Sequence, residues 1–220
     1  MPTLLLRLAA PLQSWGSSSK FEIRTTEKMP TKSGVLGMLA AALGMGREAD
    51  LSNSQIPLNR LKFGVRADRE GEVITDFHMA QDTQNKKSYV TYRHYLSDAV
   101  FLVGLEGDES FLKKLEIALK NPRFPLFLGR RSCPPTLPIV IGIRDLPLKT
   151  ALCKETPLSV KHENVLRIQI ETDFPDAGMV QDVPLSFNPE RRHYGYRRME
   201  EFFGEFNSKE TEHDAMLELG

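Results

Sequence analysis

The 220-residue chain has little cysteine, with two, little tryptophan, with one, and no net charge, because 29 Lys and Arg balance 29 Asp and Glu. Cys133 and Cys153 are too few for a disulfide scaffold and lack the C-x-x-C spacing of a zinc or thioredoxin-like site. A reduced, cytoplasmic protein is therefore expected. The longest apolar run, Val35 to Met45, is about half of the roughly 20 residues a membrane span needs. Arg7 interrupts the N-terminal leucines, and no basic region precedes them, which argues against a signal peptide. Five histidines (78, 94, 162, 193 and 213) form no H-E-x-x-H or other ligand pair, so no metal or other cofactor is expected. At 40% hydrophobic and 26% charged the composition is that of a globular chain, long enough for one large domain or two small ones sharing a core.

Zero net charge is not the absence of a charged surface. Residues 199–220 hold seven acids against Lys209 alone, a net of −6, and the remaining 198 residues carry +6. A basic body with an acidic tail leaves nucleic-acid binding open.

Thr3 to Ala9 reads as a strand, ended by Pro11, in a central position. Thr31 to Gly44 reads as a helix of small residues with Thr31 as its cap and Gly44 as its stop. Leu61 to Ala67 alternates like a half-buried strand, with Val73 to His78 as its expected hairpin partner across Asp68–Gly71. Ala99 to Leu105 is a further strand, and Phe111 to Leu119 has the helical period. The order strand, helix, strand, strand, strand, helix, strand predicts an α+β fold over 1–145: a ferredoxin-like, RNA-recognition-type domain. Recurrent prolines and one clear strand, Asn164 to Glu171, predict a small β-rich C-terminal subdomain over 146–198, followed by an acidic tail over 199–220.

Three segments carry candidate chemistry. Every tyrosine lies in one of two short stretches: Tyr89, Tyr92 and Tyr95 follow Lys86-Lys87 and flank Arg93-His94, while Tyr194 and Tyr196 lie within Arg191–Arg198. Rings interleaved with cations suit single-stranded RNA, since rings stack on bases and cations neutralise phosphates; the alternative is a core edge with solvated charges. From Lys120 to Arg144 there are five cations and no acid, and Leu128-Gly129-Arg130-Arg131-Ser132-Cys133-Pro134 could cradle a phosphate. Arg24, Lys28 and Lys32 recur every four residues into the first helix, whose N-terminus favours an anion. Thr31-Lys32-Ser33 is not a Walker A tail, because no glycine run precedes the lysine. His78 with a tyrosine and Lys86 or Lys87 could in principle cleave RNA without metal.

Four ordered strings then match a known family: Leu4–Leu8 with Pro11-Leu12-Gln13-Ser14-Trp15-Gly16; Pro30–Gly37; Arg93–Ala99; and Leu128–Pro134. Together they resemble the CasD subunits of subtype I-E CRISPR Cascade complexes, in the Cas-five family of the RAMP superfamily. The resemblance implies a non-catalytic RNA-binding subunit with a protruding arm at about 79–95. Such a subunit caps the complex, holds the 5′ handle of the CRISPR RNA, touches the backbone subunit CasC and the large subunit CasA, and meets target DNA indirectly. The implied RNA-contact set is Gln13, Trp15, Arg24, Lys28, Lys32, Ser33, Lys86, Lys87, Tyr89, Tyr92, Arg93, Gly129, Arg130, Arg131 and Ser132. Subtype I-C relatives cleave precursor RNA on this fold, whereas in I-E a separate subunit, CasE, does so, and His78 is not assigned a catalytic role. A metal-independent endoribonuclease is the alternative, and a protein-binding spacer a third reading.

Overall fold

The computed structural model describes residues 1–16, 23–46, 56–81, 88–159, 163–188 and 193–206. Its centre is a seven-stranded, wholly antiparallel sheet in the order β10-β11-β9-β4-β7-β1-β8, made of β1 (Thr3–Ala9), β4 (Lys62–Arg69), β7 (Val100–Glu106), β8 (Val140–Arg144), β9 (Val165–Glu171), β10 (Gly178–Ser186) and β11 (His193–Glu205). Strand β1 lies between β7 and β8, in the central position its leucines predict.

The pleat explains why β1 is apolar on both sides. Leu4, Leu6 and Leu8 point into the larger core, beneath α1 (Lys32–Leu43) and α2 (Glu109–Lys120), while Leu5 points into a smaller one beneath α3 (Leu148–Lys154). Strand β7 divides in the same way, with Phe101, Val103 and Leu105 on one side and Leu102 on the other. Helix α1 starts where expected. The Thr31 side chain accepts the Gly34 N–H, and Gly44 closes the helix in the left-handed region at φ 75°. Helix α2 presents Leu112, Leu115 and Leu119 inward and is capped by Asp108.

Two features differ from expectation. Residues 72–81 form β5 (Glu72–Gln81), but its partner is β6 (Ser88–Ser97) and not β4. Both edges of β4 are already taken, by β7 and β9, so the chain leaves the main sheet after Arg69 and builds a second one. There β5 runs along one edge of β6, and the other edge takes β2 (Leu12–Gln13) antiparallel and β3 (Ile23–Arg24) parallel. Helix α3, in the stretch read as β-rich, spans two turns, too few for a visible period.

The acidic stretch does not begin as a tail. Met199 to Glu205 is the second half of β11, paired residue for residue with β9, and Phe206 is buried. Residues 207–220 lie outside the described residues. A buried ion pair secures this end. Arg66 and Asp68, both fully buried, form a two-pronged bridge, and the guanidinium lies 4.5 Å from the Phe206 ring centroid while also donating to carbonyls of Leu152, Glu155 and Thr156.

Candidate nucleic-acid interface

The strings Pro11–Gly16, Arg93–Ala99 and Leu128–Pro134 meet at one junction, where β2, β3 and β6 approach the loop after α2. Gln13 and Trp15 are its interior. The Gln13 amide donates to Leu8 O and Ala99 O (2.8 Å) and accepts from the Trp15 indole at 3.1 Å; both side chains are buried. Trp15 lies against Gly34, where a Cβ would come within 2.8 Å of the ring, so the Pro30–Gly37 string joins the same packing. Ser14 N–H donates to Leu128 O, and a Cβ on Gly129, at φ 85°, would overlap the Ser14 carbonyl.

Arg130 belongs to this interior framework. Its guanidinium donates to His94 O at 3.1 Å, Arg24 O at 2.8 Å and Thr25 O at 3.3 Å, and it stacks 4.8 Å from the Tyr95 ring centroid. Arg131, one residue on, is exposed and has no ion-pair or hydrogen-bond partner among the described residues, as do Arg24 and Lys28 for their side chains. Ser132 is exposed beside Tyr95, 3.5 Å from the phenol oxygen. Cys133 is buried, and burial pushes its thiol up, the opposite of an activated nucleophile.

Lys32 departs from the expected phosphate-facing row. Its side chain is 1% exposed, and the ammonium bridges Glu171 on β9 at 2.7 Å. Burial lowers its pKa, and the nearby Glu171 carboxylate opposes that shift. The four-residue spacing carried no information about orientation, because Pro30 separates Lys28 from the helix that turns Lys32 inward. The helix N-terminus does take an anion, but it is the protein's own. Asp182 on β10 accepts the Lys32 backbone N–H at 2.8 Å, and Arg197 on β11 holds Asp182 with bonds of 2.6 and 2.9 Å. Ser33 is also buried, near Thr31. These charges tie α1 to strands β9, β10 and β11.

The β5–β6 hairpin exposes apolar surface that the sequence reading missed. Cross-strand pairing puts Phe77 opposite Tyr92 and Met79 opposite Val90 on one face. All four are exposed, Phe77 by 67% and Met79 by 71%. Assigning Val73–His78 to the main sheet hides this face, and only an unpaired β4 edge could have justified that assignment. Tyr89 is exposed on the opposite face, so Tyr89 and Tyr92 cannot form one stacking platform. Arg93 is half-buried opposite Asp76. Lys86 and Lys87 lie outside the described residues. His78 lies 2.9 Å from Asp76, on the face of Tyr89 and away from Tyr92.

Comparison with known proteins agrees with this arrangement. Residues 3–200 match the model of the CRISPR-associated protein family Cas5. Over 157 residues, 63% of this chain and 70% of the relative, the sequence is 38% identical to the CRISPR system Cascade subunit CasD of Escherichia coli (strain K12). Among solved structures, a Cas protein is similar with TM-score 0.74 and 42% identity, covering 92% of this chain and 95% of that one. A chain of a CRISPR RNA-guided surveillance complex is similar with TM-score 0.78 and 33% identity, covering 92% and 90%.

Proposed function

The chain belongs to the CRISPR-associated Cas5 family, and on that premise we propose that it is the non-catalytic RNA-binding subunit of a type I-E Cascade surveillance complex in antiviral defence, holding the 5′ handle of the CRISPR RNA. The observation that carries this reading is the row Arg24, Lys28 and Arg131, three exposed cations supported by the junction where the family strings meet. A row of unpaired cations beside exposed aromatic rings suits a single strand, whose phosphates need neutralising and whose bases stack.

The strand order β4-β7-β1-β8, with α1 and α2 as crossovers, supports a ferredoxin-like, RNA-recognition-type domain over 1–145. The β5–β6 hairpin is then the arm expected at about 79–95, with Tyr95 at its buried base. Residues 146–198 are the β-rich C-terminal subdomain, prolonging the sheet, and 199–220 the acidic end. The exposed apolar face of Phe77, Met79, Val90 and Tyr92 is the kind of surface that meets a partner in an assembly. CasC and CasA are the proposed protein partners, with target DNA reached through the complex in the cytoplasm. No helix of the described residues is long and apolar enough to cross a membrane.

The test is nuclease footprinting of the guide RNA in the reconstituted complex. The wild-type chain should protect the 5′ handle, and an Arg24/Lys28/Arg131 triple alanine variant should assemble but leave it cleavable. Full protection by the triple variant would remove the site assignment. Cleavage of repeat RNA by the purified chain in EDTA would replace the binder with a metal-independent endoribonuclease.

A further inference from the structure

Open sheet edges are pairing surfaces, and proteins blunt them with short strands, prolines, bulges or charges. Most of the edges among the described residues are blunted in these ways. Strand β10 carries Pro184 and two shifts of register against β11. Strand β8 is five residues long and contains Gly142 at φ 137°, beside a register shift against β1. Strands β2 and β3 have two residues each. Strand β5 is the exception. It runs for ten residues with no proline, no lysine and no break in its register with β6, and its other edge meets no strand among the described residues.

The one device on that edge is Asp76, whose carboxylate accepts the Phe77 N–H at 2.8 Å. An N–H directed at β6 would be spent on a β6 carbonyl, so this one points away, onto the open edge. The alternation of the ladder puts the N–H groups of Thr75 and Met79 there too.

The edge is complementary to itself. Two copies of β5 laid antiparallel about a two-fold axis at Phe77 place Asp76 opposite His78 of the second copy, and His78 opposite Asp76 of the second copy. Within one chain these two groups already lie 2.9 Å apart, so a carboxylate displaced from the Phe77 N–H keeps an imidazole partner. Thr75 falls opposite Met79, Ile74 opposite Ala80 and Val73 opposite Gln81, so no like charges face each other within 73–81. Moving the axis to Asp76 would set two carboxylates against each other. On the face shared with Tyr92, the two Phe77 rings, each 67% exposed in a single chain, become cross-strand neighbours.

We propose that the free chain forms a two-fold dimer by antiparallel β5–β5 pairing centred on Phe77, with a second copy of this chain as the partner. The contact is isologous and closes at two copies.

The test is sedimentation velocity of the full-length chain over a concentration series, with cross-linking in a Cys153→Ser background, where Cys133 is buried. Paired Cα atoms stand about 5.5 Å apart in a hydrogen-bonded antiparallel pair, within disulfide reach. The wild type should pass from monomer to dimer as concentration rises. Thr75→Pro removes an outward N–H while leaving the β6 ladder intact, and should stay monomeric. Phe77→Cys should link into a dimer on mild oxidation, whereas Thr75→Cys, which falls opposite Met79, should not. A monomer at every concentration overturns the proposal. So does a dimer that Thr75→Pro leaves unchanged, or one in which Thr75→Cys links as readily as Phe77→Cys. If circular dichroism shows Thr75→Pro to be unfolded, the two cysteine variants decide the matter by themselves.

Discussion

Arg130 and Arg131 are adjacent in the chain and differ in almost every physical respect. Arg130 is half-buried, its guanidinium spent on three backbone carbonyls and a tyrosine ring. Arg131 is exposed and uncommitted among the described residues. The same division separates two regions of the molecule. In the junction, Gln13 and Trp15 satisfy each other, Gly129 packs on the Ser14 carbonyl, and Arg130 is held by backbone carbonyls. On the rim, Arg24, Lys28, Arg131 and the hairpin face of Phe77 and Tyr92 are exposed, and the three cations have no ion-pair or side-chain hydrogen-bond partner among the described residues. The residues that identify the family and those available to touch a ligand are thus largely different sets, the first holding the second in place.

That division can be broken in stages. The largest effect should come from Gly129→Ala, because a positive φ and the Ser14 carbonyl both exclude a side chain. We expect a loss above about 4 kcal/mol by chemical denaturation, among the largest single-site effects, and a loss below about 1 kcal/mol would show that the junction yields easily. Glu171→Ala should cost about 3 kcal/mol, since it strands the buried Lys32 ammonium. Its pH dependence has a definite sign. Burial already lowers the Lys32 pKa, and losing Glu171 lowers it further. The unfolded chain then binds more protons, so the variant should regain stability as the pH rises toward about 10, the ordinary lysine value, and a flat melting temperature over that rise would contradict the account.

Arg130→Ala should cost about 1.5–3 kcal/mol, the range for charged hydrogen bonds, and should weaken RNA binding indirectly by releasing the Arg24 backbone. Smallest of all in its effect on RNA, Lys32→Met should leave RNA affinity within about twofold, because the ammonium it removes points inward to Glu171, although stranding that carboxylate costs stability. A large loss of affinity would mean that Lys32 turns outward to meet RNA.

Much of the central sheet was legible because its signals are local. Leucines on both faces of β1 marked a strand covered on both sides, and Thr31 and Gly44 marked the ends of α1 with residues whose chemistry suits caps. What could not be read depended on which edges were free. Val73–His78 has the composition of a hairpin partner for β4, and only the occupation of β4 by β7 and β9 sends it to β6. The interface divided in the same way. Cation spacing singled out Arg24 and Lys28, which are exposed, together with Lys32, whose partner Glu171 lies 139 residues away. Trp15 and Gln13 belong to the matching strings for packing reasons, while Phe77 and Met79 drew no notice because exposed apolar residues carry no local signature.

The most direct test of the central claim is the salt dependence of 5′-handle RNA binding by the wild-type chain and by the Arg24/Lys28/Arg131 triple alanine variant. Losing three phosphate contacts should lower the slope of log K against log salt by about 2, at roughly 0.7 per contact on a single strand. An unchanged slope with unchanged affinity would contradict the assignment of this row to the RNA.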